Sequence, residues 1–402
     1  MEVLYISMMM PAAKANNAGA KTLYYYISNL AKMTDIHVTL IAKAKDENDD
    51  KVKIDNVDII RVHNKPLSIF HPIRLVKDVN SKINPFHKMG RTLRYSVYES
   101  VIDEGEKLYI KPDVIICEYT QMLYLVDYLK KKYKDSKIIA SEHDVSFLGY
   151  QRIAENKKGR IERIFYKKVY QKMKSDELKQ LSKCDIIIPH NLKDAKLLEL
   201  NGIPSDKIFP IVAFYDSFDL QRSSDEKSIL FYGAMGRNEN QEAVLWFVKN
   251  VMPLLAGDSV KFIIMGGNPP ESITSLADGN KVIVTGFVDD LRPYFSTCMC
   301  MVVPLHLGAG IKVKVLEAMA AGIPVLTNNI GIEGIPATDG DDYFKCDTAE
   351  EYSKTIRNLM EDSEKCENVG RAAKKLILNK FDLADSYNRY LRLIYSLMKG
   401  KL

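Results

Sequence analysis

The chain has 402 residues, of which 46% are hydrophobic and 27% are charged. This length exceeds what one hydrophobic core usually supports, so we expect two domains, and the composition excludes a disordered or fibrous protein. The formal net charge of +5 is too small to indicate a nucleic-acid partner, and none is expected.

The six cysteines are scattered and lie mostly in apolar runs, and no pair has zinc-finger spacing. This usage is typical of buried, reduced thiols in a cytosolic protein. Residues 1–7 lack a basic leader, and no run of 18 apolar residues occurs. We therefore expect a cytoplasmic protein with no membrane-spanning helix.

Short apolar runs alternate with helical patterns along the first half of the chain, which predicts right-handed crossovers and a parallel sheet. Strands are predicted at residues 3–7, 37–42, 57–62, 113–117, 137–140, 184–189 and 207–214. Helices are predicted at residues 22–33, 121–132 and 191–200. The polar stretch 215–227 is predicted to be the linker, so the predicted domains are 1–215 and 216–382, with a closing helix in 383–402.

Two segments of the first domain are unusually basic. Residues 64–94 contain three prolines, show no clear period, and suit either an acceptor or membrane-surface site or a solvated loop. Residues 151–183 contain eleven basic and four acidic residues, with Ile161, Phe165, Val169 and Met173 at every fourth position. This pattern predicts a basic amphipathic helix, which either packs on the core or contacts an anionic membrane.

Titratable residues follow directly after the predicted strand 137–140, where the sequence reads Ser-Glu-His-Asp. The carboxyl ends of parallel strands are where open α/β sheets keep their chemistry. His143 and Asp144 are therefore candidate functional residues, although a lone histidine is also common as a structural residue.

The second domain repeats the alternation. Its strands are predicted at residues 228–234, 261–267, 282–288, 299–305 and 324–327, and its later helices at 348–361, 364–379 and 383–398. Residues 306–327 link the last two strands through a glycine loop and a helix at 311–321, which Gly322 and Pro324 end.

The start of that helix favours an anion such as a diphosphate, because free backbone N–H groups and the helix dipole point there. Lys312 and Lys314 add positive charge at the same point. Glu317 follows in the second turn, where a carboxylate can accept hydrogen bonds from the two hydroxyls of a ribose.

Residues 306–327 resemble the donor-nucleotide motif of the retaining glycosyltransferases of family 4. The resemblance implies the GT-B fold, in which two Rossmann-like α/β domains with parallel sheets face each other across a cleft. Members usually carry two glutamates eight positions apart; Glu317 matches the second, whereas Ala309 stands in place of the first. Members also place an arginine and a lysine where this chain has Ala234 and Asn240, so Arg237 and the two lysines are expected to supply the charge.

By the same resemblance, donor-binding residues are expected at Gly19, Arg237, Lys312, Lys314 and Glu317, and along the loop Gly308, Ala309, Gly310 and Ile311. The catalytic set implied is His143 or Asp144, with Lys314 and Glu317. No cofactor and no metal is expected, because no Asp-x-Asp motif is suitably placed.

The function implied is transfer of a sugar, with retention, from a UDP- or GDP-sugar to a glycan or lipid-linked acceptor in cell-surface polysaccharide synthesis. A nucleotide-sugar 2-epimerase and an inactive nucleotide- or glycan-binding subunit remain as alternatives. Peripheral contact with the anionic inner face of the cell membrane is a further hypothesis.

Overall fold

The computed structural model describes residues 1–13, 18–63, 72–84, 95–212, 220–222, 227–308 and 310–398. The chain divides into two compact units, one formed by Met1–Ala213 with Ala384–Leu402 and the other by Phe214–Leu383. Within these ranges, no helix combines the length and the hydropathy that are needed to span a bilayer.

The first unit is built on a six-stranded parallel sheet with the strand order β3-β2-β1-β4-β5-β6. Its strands are β1 Glu2–Ser7, β2 His37–Ala44, β3 Val57–His63, β4 Val114–Glu118, β5 Lys137–Glu142 and β6 Ile186–Pro189. The central strands are almost continuously buried, as expected when helices cover both faces of a parallel sheet. This strand order is that of the doubly wound α/β fold.

The helices of the first unit connect successive strands. They are α1 Ala18–Leu30, α2 Glu47–Asp50, α3 Pro72–Ile83, α4 Tyr95–Lys107, α5 Val126–Lys132, α6 Ser146–Asn156, α7 Arg160–Leu181 and α8 Leu192–Leu200. Short 3-10 turns occupy Thr120–Leu125 and Ser205–Lys207.

The second unit repeats the plan with the strand order β12-β11-β10-β7-β8-β9, all parallel. Its strands are β7 Ser228–Tyr232, β8 Lys261–Met265, β9 Val282–Gly286, β10 Cys300–Val303, β11 Val325–Thr327 and β12 Phe344–Lys345. Its helices are α9 Asn238–Asn250, α10 Glu271–Thr274, α11 Arg292–Thr297, α12 Val313–Ala320, α13 Ala349–Glu361 and α14 Ser363–Lys380. The expected α/β class with two parallel sheets is confirmed.

The last helix, α15 Leu383–Met398, packs on the first unit through a cluster of tyrosines. The hydroxyls of Tyr390 and Tyr5 are 2.6 Å apart, and the ring of Tyr390 stacks on Tyr26 with 4.4 Å between the centroids. Ser386 Oγ donates to the carbonyl of Val212 at 3.2 Å. The end of the chain is therefore part of the first unit's core.

Three predicted segments differ from the structure. The predicted strand at 207–214 is, in its described part, a single parallel bridge between Ile208 and Ile187. Phe209 and Ile211 donate to the carbonyls of Ile187 and Pro189, but Pro189 has no N–H group to donate back to Phe209 and continue the ladder. The segment 64–94, predicted to be irregular, contains helix α3. The predicted basic helix 151–183 is two helices, since Gly159 at the start of α7 is extended with φ −73° and ψ 130°.

Candidate functional site

In the second unit, the candidate ligand site is formed by the loops that follow β7 and β10. Strands β8 and β9 follow β7 toward one edge of the sheet, and strands β11 and β12 follow β10 toward the other edge. The strand order therefore reverses between the neighbouring strands β7 and β10. Ligands of open α/β sheets bind at such a switch point, outside the carboxyl ends of the strands. The loops at residues 233–237 and 304–312 lie there.

The loop after β10 leads into helix α12, and Lys312 is the N-cap residue of that helix. Gly308 and Gly310 have φ values of 117° and 71°, which side chains disfavour, so glycine is required for this turn. The half-buried Ile311 precedes Lys312, and Ala309 lies outside the described residues. The first N–H groups of α12 have no partner within the helix, and its dipole favours an anion here.

Lys314 extends from α12 to the other loop of the switch point. Its Nζ donates to Asn240 Oδ1 and lies 4.4 Å from the centroid of the Phe231 ring. A Cβ on Gly233 would come within 2.9 Å of this Nζ and of Asn240 Nδ2, so both groups lie directly against the backbone of the loop. Burial, and then the nearby Arg237, lower the pKa of Lys314 to about 7.

Asn240 holds the loop and the lysine together. Its Nδ2 donates to the carbonyl of Ala234 at 2.7 Å, while its Oδ1 accepts from Lys314. Asn240 stands where the family resemblance places a lysine, and here it positions the ammonium of Lys314 at the same loop.

Lys312 makes different contacts from those of Lys314. Its Nζ donates to the carbonyl of Gly310 and lies 3.2 Å from Glu333 Oε2. Only 9% of the Lys312 side chain and 3% of the Glu333 side chain are exposed. Lys312 was expected to add charge for a diphosphate, but its ammonium is paired with a buried carboxylate from the loop after β11.

Glu317 lies one turn further along α12 and is buried. The nearby hydroxyl of Tyr232 has its pKa raised, first by burial and then by the charge of Glu317. Arg237, by contrast, is the exposed N-cap residue of α9 and pairs with Glu239. The structure therefore brings Lys314, Glu317 and the start of α12 together and leaves Arg237 at the rim of the same loop.

In the first unit, side chains from three adjacent strand ends form a second cluster. Glu118 ends β4, His143 follows β5, and His190 follows β6. His143 Nε2 lies 3.0 Å from Glu118 Oε2. The imidazole of His143 stacks on the ring of Tyr119 on one side, at 4.2 Å and 19°, and on His190 on the other, at 4.4 Å and 30°.

Gly19, at the start of α1, touches this cluster. A Cβ at this position would lie 2.2 Å from the hydroxyl oxygen of Tyr119 and 3.2 Å from Nδ1 of His143. The predicted importance of Gly19 therefore has a packing reason within the first unit. Asp144, the alternative to His143, is exposed before the start of α6.

His190 is fixed by hydrogen bonds on both ring nitrogens. Nδ1 lies 3.2 Å from the carbonyl of Ile211, which only accepts, and Nε2 lies 3.0 Å from Ser141 Oγ. The proton is therefore on Nδ1, and Nε2 accepts from the hydroxyl. Burial lowers the pKa of His190 well below its usual value, so the ring is neutral.

Two more acidic groups, one at the end of β5 and one on α7, are hydrogen-bonded to structural partners. Glu142 Oε2 accepts from Thr120 Oγ1 at 2.6 Å. Glu177, on α7, accepts from the backbone N–H groups of Ser146 and Phe147, both at 3.0 Å, and so caps α6. Burial raises the pKa of Glu142 and of Glu177 well above the usual value.

Comparison with known proteins relates the second unit to a described family. Residues 226–362 match the sequence model of the family described as "Glycosyl transferases group 1". The match lies within the second unit, which therefore carries a domain of this family and also contains the Lys314 and Glu317 site.

Two solved structures and one sequence relative are similar to this chain. The sucrose-phosphate synthase of Thermosynechococcus elongatus is 15% identical, with a TM-score of 0.73 and 99% of each chain covered. The Anabaena HepE in complex with UDP is 13% identical, with a TM-score of 0.69, and the match covers 98% of this chain and 100% of that one. These structures establish the GT-B fold.

The sequence relative is a Klebsiella pneumoniae protein described as an uncharacterized 44.6 kDa protein in the cps region. It is 23% identical over 289 residues, which are 69% of this chain and 72% of that protein.

A metal site was not expected from the sequence. In the described part of the chain, one group of side chains offers ligand atoms that all lie within 4.8 Å of one another: Glu118, His143 and His190. Both ring nitrogens of His190 are engaged by Ser141 and Ile211, and the two imidazoles are stacked, so their in-plane lone pairs do not converge. The cluster therefore fits a hydrogen-bonded pair of Glu118 and His143 better than a metal.

Several residues of the two clusters were missed by the sequence reasoning: Glu118, Tyr119, His190, Asn240 and Glu333. Glu118 and His190 each stand at the end of a buried strand, the same signal that singled out His143. The pairing of Glu333 with Lys312 joins positions 21 residues apart and has no local signature.

Proposed function

We propose that this protein is a retaining glycosyltransferase of family 4. Its substrates would be a UDP- or GDP-sugar donor and a glycan or lipid-linked acceptor. Its product would form part of a cell-surface polysaccharide. The proposal rests on one arrangement at the switch point of the second sheet. There the start of α12 is followed, along the same helix, by the Lys314 ammonium and then by the buried Glu317. It is supported by the HepE structures with UDP and with UDP-glucose, and by the cps-region relative.

The arrangement suits a nucleoside diphosphate. Glu317 would accept hydrogen bonds from the ribose hydroxyls, and the first N–H groups of α12 with Lys314 would bind the diphosphate. When the glycosyl–phosphate bond breaks, negative charge grows on the leaving diphosphate. Fixed donors and a cation already in place stabilise that charge in the transition state.

Transfer is tested by incubating the protein with radiolabelled UDP- and GDP-sugars and a membrane extract. We expect label to move from the nucleotide to a glycan or lipid product. Label that stays on the nucleotide as a new isomer would indicate a 2-epimerase, and binding without turnover would indicate an inactive subunit. The anomeric configuration of the product, determined by NMR, tests retention.

The role of Glu317 is tested by Glu317→Ala. Removing a charge-assisted hydrogen bond costs about 1.5–3 kcal/mol, which corresponds to a roughly tenfold to hundredfold weaker affinity for the nucleoside diphosphate. Calorimetric titration with UDP and GDP measures the effect. Unchanged affinity for the nucleotide that the wild type binds would exclude the ribose role.

We also propose that transfer needs no metal, because α12 and Lys314 supply the positive charge at the diphosphate. Assays with EDTA and with added Mg²⁺ or Mn²⁺ should give the same rate. A rate that falls in EDTA and returns with a divalent cation would contradict this.

Peripheral contact with an anionic membrane is proposed for the start of α7. The predicted apolar stripe divides there: Val169 and Met173 are buried in the core, whereas 84% of Ile161 and 50% of Ile164 are exposed. Exposed basic residues surround these two isoleucines, including Lys158, Arg160, Arg163, Lys167 and Lys168. Apolar anchors beside cations are typical of helices that bind the surface of anionic bilayers.

Flotation with phosphatidylglycerol vesicles at low salt tests this contact. We expect the wild type to float and Ile161→Ser with Ile164→Ser to remain in solution. Leu200→Ser is the matched control, since Leu200 is 75% exposed on a different helix, at the end of α8. Failure of the wild type to float would reject the membrane contact.

A further inference from the structure

The imidazole of His143 is held more firmly than packing alone requires. Glu118, whose side chain is only 3% exposed, lies 3.0 Å from Nε2. Tyr119 and His190 stack on opposite faces of the ring. His190 is itself held by hydrogen bonds to Ser141 and Ile211, so this side of the ring has a fixed neighbour.

The backbone of Tyr119 is strained in order to make one of these walls. Its φ of 72° and ψ of 146° are uncommon for any residue except glycine. Such a conformation costs on the order of 1–3 kcal/mol and persists only where surrounding contacts impose it, most often at functional sites. The N–H group of Tyr119 donates to the carbonyl of Ser141 at 3.0 Å, and its carbonyl accepts from Met122 at 2.9 Å.

The other nitrogen of His143 lies beside a residue without a side chain. Nδ1 faces Gly19, where a Cβ would approach within 3.2 Å. About 17% of the His143 side chain is exposed, although Glu118 below it is buried. The ring therefore has one nitrogen toward a buried carboxylate and the other toward the carboxyl edge of the sheet.

We infer that Glu118 is a positioning residue that accepts the Nε2 proton of His143 and holds the ring in one tautomer, with Nδ1 presented to accept a hydrogen bond from a sugar hydroxyl. A carboxylate oxygen accepts, so the hydrogen bond to Glu118 puts a proton on Nε2, and in a neutral imidazole the lone pair is then on Nδ1. A tautomer is commonly fixed by the hydrogen bond that the other ring nitrogen makes. This inference rests on the proposed function for the identity of the ligand, a sugar substrate.

A double-mutant cycle tests whether Glu118 acts through His143. We expect Glu118→Gln to lower kcat/KM about tenfold to a hundredfold, because a displaced catalytic-site group has effects of this size. His143→Gln should lower it at least as much. The double variant should be no worse than His143→Gln alone, since Glu118 has nothing left to position.

Glu142→Gln is the matched control. Glu142 is also a buried glutamate at a strand end, but its carboxyl accepts from Thr120 and makes no contact with His143 among those described. Burial raises the pKa of Glu142, so the amide resembles its neutral form and the fold should be kept. We expect kcat/KM within about twofold of the wild type.

The tautomer is measured directly by NMR on protein labelled with ¹⁵N-histidine, with His143→Gln to assign the signal among the seven histidines. We expect the wild type to carry the proton on Nε2 and Glu118→Gln to show both tautomers. This measurement needs no substrate, so it decides the inference even if no sugar transfer is found. A proton on Nδ1 in the wild type, or losses that add in the double variant, would overturn it.

Discussion

Lys314 is the residue on which the charge at the second-unit site depends. Its ammonium is displaced from water against Phe231 and lies near Arg237, so its pKa falls to about 7. Near neutral pH the unliganded protein therefore holds this lysine partly uncharged. A diphosphate beside it favours the charged form and raises the pKa.

Binding of UDP or GDP is therefore expected to take up a proton above pH 7. Above the pKa of the unliganded lysine, each further pH unit should weaken the affinity by up to about tenfold, because one pKa unit corresponds to about 1.4 kcal/mol. Calorimetry at pH 8 in two buffers of different ionisation enthalpy measures the uptake. Lys314→Met should abolish it, and equal enthalpies in both buffers for the wild type would refute this role.

Gly19 is a second position where one added atom, a Cβ, is expected to change the stability of the first unit. A Cβ there would overlap the hydroxyl oxygen of Tyr119, and that ring is stacked on His143 and cannot easily move. We expect Gly19→Ala to cost about 1–3 kcal/mol of the free energy of unfolding, as overpacking does.

Gly149→Ala provides the comparison for Gly19→Ala in urea unfolding. Gly149 lies in α6, and nothing lies within 4 Å of a Cβ placed on it. Alanine there should be neutral or stabilising by up to about 1 kcal/mol, because it favours the helix. Similar losses for both variants would show that the contact with Tyr119 is not what excludes a side chain.

At the scale of elements, the loops after β10 and β11 are joined by the buried pair of Lys312 and Glu333. Removing one partner of a buried pair leaves the other charge uncompensated, which typically costs about 3–5 kcal/mol. We expect Glu333→Gln alone to be destabilising, and Lys312→Met with Glu333→Gln to recover part of the loss.

Urea unfolding of these variants measures the difference. Asp290→Asn is the control, since its pair with Arg292 is exposed and such pairs contribute about 1 kcal/mol or less. If the double variant loses as much free energy of unfolding as Glu333→Gln and Lys312→Met lose separately when added together, the two residues are not coupled.

These elements also show how far the sequence could predict the molecule. Apolar runs and glycine-punctuated helices gave the class and most of the strands, because burial on both faces of a parallel sheet leaves a strong local pattern. The predicted helix at 311–321 is α12. The predicted strand at 207–214 is reduced to one bridge because Pro189 of the neighbouring strand β6 lacks a ladder donor, which the apolar pattern of 207–214 does not reveal.

The two lysines of the donor motif show why the site was harder to predict. In the sequence they are two equivalent charges two residues apart. Lys312 pairs with Glu333, from a loop 21 residues away, and Lys314 with Asn240, from the first turn of α9, 74 residues away. Only the packing of neighbouring strands brings these segments together, so no local pattern could distinguish the two roles.

At the scale of the whole molecule, the end of the chain stabilises the unit that contains its beginning. Tyr390 of α15 is buried against Tyr5 of β1 and Tyr26 of α1, far from it in sequence. A defect in α15 should therefore appear in the first unit, although 170 residues of the second unit, Phe214–Leu383, lie between the two in the chain.

Tyr390→Phe tests this connection with the loss of one oxygen. The variant leaves the buried hydroxyl of Tyr5 without its partner in α15, and an unsatisfied buried group costs about 1–3 kcal/mol. Hydrogen exchange followed by mass spectrometry should show faster exchange in β1 and α1, while β7 and β10 of the second unit keep the protection of the wild type.

Tyr395→Phe, on the same helix, removes a hydroxyl that donates to the exposed carboxylate of Asp35 at 2.9 Å, so its effect should be much smaller. Equal effects of the two variants, or faster exchange spread over both sheets, would mean that α15 is not a specific part of the first unit's core.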